Sequence, residues 1–485
     1  MILSPFSLIT VVIGLLIGRF LVERIILSPL NAIPGPLYAR FTGLVLKYNE
    51  FRANRTRYIH DLHQKYGPVV RVGPNEVAFA SANGVKEIYC SGGSGYDKTG
   101  FYDLFKIQGR RTMFTTLNKD DHAKRKRILA DRYANTNIIR SASLDGINER
   151  AGAFVRKCAE SVGGGLDLYV NLHAYAFDCV THHLFHPYGT NSLESKGDEE
   201  IMREVTFDDS LQNRLVSYYS PPLHMVLGKV LGVFGAKPRE TPLADKFVLG
   251  TSSKTDTSPF TLLNRLNDSL GKGLDETDIA AECLDHMVAG IDTTGDALCF
   301  LMWELSQPRS LPYQKRLQEE ALVNQGVGFD KLDFLDAVVM EGLRCWPAIP
   351  MSLPRHVPRG GRVIDGYGLP EGTVVSCQAY SVHRINTGVF PRPDEFRPER
   401  WLEEKGDAER KRLMFAFASG GRGCIGKHLA LAEMKTLLRE VYTRFTTLPD
   451  ETMTVEDMDM SDQLISSRPA GQRCLLRFVP IQKSW

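Results

Sequence analysis

The first 18 positions carry no charged side chain, and Ile, Leu, Val and Phe dominate them. The apolar run resumes after Arg19 as Phe20-Leu21-Val22. About 20 residues of helix cross a hydrocarbon layer, so residues 1–24 predict an uncleaved transmembrane helix. A cleaved secretory signal fits less well, because no basic segment precedes the run and no small-x-small site follows it. Arg19, Arg24 and Arg40 trail the run, which orients the body of the protein to the cytosol. Residues 25–36 close on Ile33-Pro34-Gly35-Pro36, a stiff extended turn, read as a hinge. Residues 37–485 contain no repeats or low-complexity tracts and read as one body.

Within that body two stretches have strand character: 67–81, where turn residues separate apolar runs as in a hairpin, and 357–378. Most of the remainder has helical periodicity. The clearest helix runs from about Glu276 to Gln307, with Asp275 as N-cap, Asp278 in its first turn and Pro308 ending it. About 30 residues at 1.5 Å each make a rod of roughly 45 Å. It is apolar apart from Asp292-Thr293-Thr294, so it belongs in the centre of a large domain. The fold expected is mainly α with a minor β region.

Composition changes little. Of 485 residues 43% are hydrophobic and 24% charged, and the formal net charge of +2 does not call for a nucleic acid. The run Lys124-Arg125-Lys126-Arg127 is too isolated to be a nucleic-acid patch. The nine cysteines are widely spaced, odd in number and without a CxxC pair, which argues against disulfides and structural zinc and for a reducing compartment. His182, His183 and His186 form the one dense group among twelve histidines, read as a solvated or partly buried helix segment.

The candidate chemistry lies near the C-terminus, in Phe415-Ala416-Phe417-Ala418-Ser419-Gly420-Gly421-Arg422-Gly423-Cys424-Ile425-Gly426. A helical pattern follows at once, so Cys424 sits on a tight loop opening into a helix N-terminus, where free amides and the dipole favour a thiolate. Glycines let the backbone approach a flat cofactor and donate to the sulfur. Thiolate ligation pushes electron density onto haem iron and favours O–O cleavage.

These residues resemble the cytochrome P450 family, whose haem signature Phe-x-x-Gly-x-Arg-x-Cys-x-Gly is met by Phe417, Gly420, Arg422, Cys424 and Gly426. Glu341-Gly342-Leu343-Arg344 matches the family's E-x-x-R, about 80 residues before the cysteine. Phe396-Arg397-Pro398-Glu399-Arg400-Trp401 matches the segment supplying a third member, Arg400. The resemblance gives Glu341, Arg344 and Arg400 a structural role, a buried charged network around the haem. Ala289-Gly290-Ile291-Asp292-Thr293-Thr294 matches the oxygen-activation motif. Asp292 is assigned to proton supply and Thr293 to oxygen activation, with Gly290 leaving room for oxygen; the plain alternative is that Thr293 only back-bonds its own helix. For the haem propionates the resemblance points to His122, Lys126, Arg355 and Arg422. Many members have Trp and Arg where this chain has His122 and Lys126, and Arg125 and Arg127 flank the lysine, so the contacting cation stays open.

Over residues 34 to 475 the resemblance implies the P450 fold and one haem b, with Cys424 as iron ligand. It implies electrons from NADPH through a membrane flavoprotein reductase, and insertion of one oxygen atom from O₂ into a small apolar substrate. It implies a single-pass protein of the endoplasmic reticulum membrane, in contact with lipid, with a cytosolic catalytic domain. The segment Pro354-Arg355-His356-Val357-Pro358-Arg359-Gly360-Gly361 and its surroundings look like fungal members such as the benzoate 4-monooxygenase-like and pisatin demethylase-like proteins, which suggests specialised-metabolite tailoring. Apolar stretches at 96–114, 287–291, 349–353 and Leu464-Ile465 are candidate substrate contacts. The basic run with Lys427 is a candidate docking face for an acidic electron donor. Three rival classes remain: a haem-thiolate isomerase or dehydratase, against which Asp292-Thr293 argues; a non-haem di-iron membrane hydroxylase, which needs more histidine boxes; and a haem-binding sensor.

Overall fold

A computed structural model of the protein describes residues 5–23, 27–90, 95–206, 210–235 and 240–481. Helix α1 (Pro5–Val22) is 18 residues long, about 27 Å against a hydrocarbon layer of ~30 Å. Arg19 interrupts its apolar run and pairs with Glu23 at 2.9 Å. Among the described residues no helix is long and apolar enough to cross a membrane, so the predicted span is not seen. Residues 1–4 and Arg24 of that expectation, with 25 and 26 of the hinge, lie outside the described residues. Ile9, Ile13, Leu15 and Leu16 on α1 are all at least half exposed.

The segment read as a hinge is fastened to the body. Arg71 donates its backbone N–H to Pro34 O at 2.8 Å, and Leu30 and Ile33 are buried in the smaller of two main cores. A Cβ on Gly35 would lie 2.5 Å from Arg71 O, so only glycine admits this approach.

The hairpin predicted at 67–81 forms: Val69–Gly73 pairs antiparallel with Glu76–Phe79, with a bulge between Arg71 and Gly73. Strand Val374–Cys377 joins it in parallel and Arg355–His356 completes the four-stranded sheet. Arg362–Ile364 and Tyr367–Leu369 pair as a separate short hairpin.

Helix α2 (Lys119–Leu129) is capped by Asn118, whose side chain accepts from the N–H groups of Asp120 and Asp121. Helix α3 (Leu168–Phe185) is capped by Asp167 and buried almost throughout. Helices α4 (Leu211–Tyr219) and α5 (Pro221–Val233) follow, α5 with no buried residue. Helix α6 (Glu276–Ser306) is the expected central rod, 31 residues opened by a capping box between Asp275 and Asp278. Helices α7 (Asp333–Cys345) and α8 (Lys427–Tyr442) pack against it. The most extensive helix contact is α6 on α3, and the main core gathers around that pair.

Candidate functional site

A cavity of about 510 Å³ opens between α6 and the loop before α8. Cys424 Sγ faces it and is otherwise enclosed by protein. The loop is held by backbone bonds, Cys424 N–H to Phe417 O at 2.9 Å and Gly423 N–H to Gly420 O at 3.0 Å. Gly420 has φ +71°, and a Cβ there would collide with Tyr89 O. Gly426 meets no such obstacle; its contribution is an N–H directed to the sulfur. The expected favouring of a thiolate is only half realised. Burial pushes the thiol's pKa up, and the N–H groups of Gly426 and Lys427 with the Lys126 ammonium pull it back without overcoming that. A bound cation would complete the deprotonation. The other described cysteines are buried except Cys90.

Lys126 does not reach toward a distant anion. Its ammonium donates to Gly423 O at 2.8 Å and Gly421 O at 3.1 Å, bracing the cysteine loop. Arg125 is taken up by Arg111 O and Glu282. Arg355, Arg422, Lys106, Arg214 and Arg468 line the cavity, as does Lys98, which the motifs do not mark. The Lys98 ammonium donates to Phe114 O at 2.5 Å, and burial and then Arg355 push its pKa well down. Lys98 lies opposite Arg355 in an isolated antiparallel bridge. It carries no motif, and only the pairing of segments over 250 residues apart brings it here. His122 is buried beside them, its pKa pushed down to about 3 by burial and then by the charges of Lys98, Lys126, Arg422 and Arg355. Burial and Arg355 also hold Arg422 at about 10.

On α6, Ala289, Gly290, Asp292 and Thr293 line the cavity. Thr293 Oγ1 donates to Ala289 O at 2.6 Å, the back-bond weighed as its plain alternative, which leaves the oxygen's lone pairs to accept from the cavity. The role expected of Gly290 is corrected. A Cβ there would sit 2.7 Å from Val180 Cγ2 of α3, so the space it leaves is filled by a neighbouring helix, not by oxygen. The next residue, Thr294, donates instead to Glu433 Oε2 at 3.2 Å.

The charged network is as expected and larger. Glu341 takes two bonds from Arg344 at 2.8 and 3.0 Å and one from Arg400 at 2.9 Å. Arg397 N–H and Trp401 Nε1 add one each, both at 2.9 Å. Glu341 stays below the usual carboxylate range because Arg344 and Arg400 outweigh its burial. The histidine group is partly buried, as expected: His182 and His183 are core, His182 in the space that Gly146 leaves, and His186 at the end of α3 is half-buried. No cluster of His, Cys, Asp or Glu able to hold a metal ion occurs among the described residues.

These residues fit a haem. Three buried donors on the cavity side, Arg422 Nη1, Arg355 Nε and His122 Nδ1, have no partner, which calls for anions such as two propionates. One sulfur with N–H donors around it suits an iron ligand. Apolar side chains from Tyr102, Phe105, Phe114, Val288, Ile349 and Leu464 close the rest, and the volume is ordinary for a small-molecule site.

The comparisons with known proteins agree. The family profile "Cytochrome P450" matches residues 33–475. The chain is 30% identical over 473 residues to cytochrome P450 monooxygenase stcB of Emericella nidulans, covering 93% of this chain and 88% of that one. It is 29% identical to cypX of Dothistroma septosporum over 97% of this chain and 95% of the relative. To aflV of Aspergillus parasiticus it is also 29% identical, over 95% of each. With the cysteine loop, the Glu341 network and the α6 motif all in place, the chain belongs to the cytochrome P450 family and is an oxidoreductase.

Proposed function

We propose that this protein is a haem monooxygenase that inserts one oxygen atom of O₂ into a small apolar substrate, in fungal specialised metabolism, with electrons from NADPH delivered by a flavoprotein reductase. The observation that carries the reading is that Cys424 Sγ, the Asp292-Thr293 turn and the unpartnered donors of Arg355 and Arg422 share one largely apolar cavity. Cys424, Arg422, Arg355 and His122 would hold the haem, with Lys126 bracing the cysteine loop. When bound, haem supplies dioxygen activation.

The residues do the rest. The stoichiometry RH + O₂ + 2e⁻ + 2H⁺ → ROH + H₂O requires two protons at a site walled by apolar side chains. Asp292 gives protons, and Thr293, its hydroxyl hydrogen fixed on Ala289 O, accepts a hydrogen bond and holds the proton's path in line. The apolar lining excludes bulk water and positions the substrate.

Attachment to the endoplasmic reticulum membrane, with the body in the cytosol, is part of the proposal. Its support is the exposed apolar surface of α1 and that of α5, where Leu223, Met225, Val226, Val230 and Leu231 are each about half exposed.

The absorption spectrum of the reduced, CO-bound protein tests the ligand. The thiolate signature is expected in the natural chain and its loss in Cys424→Ser. Oxygen-18 from O₂ in the product, with NADPH consumption in step, tests the reaction. A product formed without O₂ would establish an isomerase or dehydratase instead.

A further inference from the structure

One turn beyond Asp292 on α6 stands a further acid, this one buried, that the proposed chemistry does not use. Asp296 is 4% exposed and lines the same cavity. Residues four apart on a helix share a face, with Cβ atoms about 5–6 Å apart, so the two carboxyls are neighbours.

Asp296 Oδ1 has no hydrogen-bond partner and lies 3.6 Å from His173 Nε2. The His173 ring comes from α3, and its orientation is fixed. Nδ1 is 2.6 Å from Tyr169 O, and a carbonyl only accepts, so Nδ1 carries the hydrogen and Nε2 turns its lone pair to Asp296. Two acceptors face each other unless a proton lies on the carboxyl. Burial keeps His173 neutral, its pKa down at about 4. Burial first and Asp292 second raise the Asp296 carboxyl well above the usual range. The approach is built in: a Cβ on Gly295 would lie 2.9 Å from the His173 ring. The other groups facing Asp296 are Tyr169 of α3, Cys299 of α6 and Arg468 of strand Ser467–Pro469.

We infer that Asp292 and Asp296 act as a carboxyl pair sharing a proton, in which Asp296, positioned by His173, recharges Asp292 between the two proton deliveries that each dioxygen requires. One proton leaves an Asp296 oxygen and one is gained by an Asp292 oxygen. The charge left on Asp296 faces Arg468, and a proton taken up from solvent, one of the two in the stoichiometry above, restores the carboxyl. Asp296 acts through Asp292 and is a positioning residue. The inference rests on the proton role given to Asp292 above.

The test uses the full haem-loaded chain with reductase, NADPH and O₂. Infrared difference spectra between neutral and alkaline pH should show the C=O stretch of a buried protonated carboxylic acid that Asp296→Asn removes. The same variant should slow oxygen consumption about tenfold or more and raise its solvent deuterium isotope effect, and Asp296→Glu should recover most of both. If Asp292→Asn is impaired while Asp296→Asn keeps the natural rate and isotope effect, the pair is overturned and the monooxygenase reading stands. If Asp292→Asn is itself unimpaired, the reading of Asp292 fails, and with it this inference. Should Asp296→Asn not take up haem, Asp296→Glu carries the test, a shifted carboxylic acid band being expected and an unmoved spectrum overturning the pair.

Discussion

Thr293 combines two roles that looked exclusive from its place in the chain. Its hydrogen is spent on Ala289 O, yet that bond is what aims the oxygen's lone pairs at the cavity. Thr293→Ala should lower product formed per NADPH on the order of 100-fold while hydrogen peroxide release rises; Thr293→Ser should retain most of the yield. Equal yields in all three would remove the hydroxyl from the reaction. Glu433 gives a residue-scale prediction in pH. Burial raises its pKa to about 8, the Thr294 hydroxyl opposing this only in part. The folded state therefore holds a proton that the unfolded state has lost, so stability falls as pH rises from the usual carboxylate range toward about 8. Glu433→Gln should flatten that fall, read as melting temperature against pH. Lys98 marks the limit of reading at this scale. Cys424, Arg422 and Arg355 announce themselves by neighbours in sequence, whereas Lys98 is recruited by a bridge to a strand far along the chain.

Helices α3 and α6 meet through two notches, Val180 seated against Gly290 and the His173 ring against Gly295. Gly290→Ala should destabilise the protein by about 1–3 kcal/mol through overpacking. Val180→Ala should recover part of the loss in the double variant, measured by chemical denaturation; strict additivity would mean the two side chains do not meet. The rod itself was legible: its capping acids, apolar length and closing proline are local signals, and its end at Ser306 is one residue short of the expected Gln307. The notches were not, because a glycine in a motif does not say which neighbour occupies its space. The hairpin at 67–81 was legible from alternation and turns; at 357–378 only strand character was, and the pairing of Arg362–Ile364 with Tyr367–Leu369 was not. The parallel joining of Val374–Cys377 to the first hairpin was not, since it depends on segments nearly 300 residues apart.

At the scale of the whole molecule, Lys124, Arg127 and Lys427 are exposed, Lys124 paired with Asp121 at 2.9 Å, and they are the cations in the basic run and beside the cysteine that an acidic electron donor could meet. Lys126, although in the same run, is spent on loop carbonyls. Reductase-supported turnover should therefore drop as ionic strength rises, and Lys124→Glu with Arg127→Glu should reproduce the drop at low salt; a salt-insensitive rate would place the electron donor elsewhere. The charged network around Glu341 was legible as three residues, and its extension to Trp401 Nε1 and the Arg397 backbone was not, because those bonds depend on how the segment folds back. The notched seam has a practical corollary for anyone retargeting this catalyst. One wall of the chamber is interlocked with its neighbour and takes added carbon only at a cost in stability, so enlarging or reshaping the chamber is better done at other lining side chains such as Phe105, Phe114, Ile349 and Leu464. Libraries that randomise Gly290 or Gly295 will mostly return destabilised proteins, while those that spare them keep the oxygen-handling side intact whatever guest is admitted.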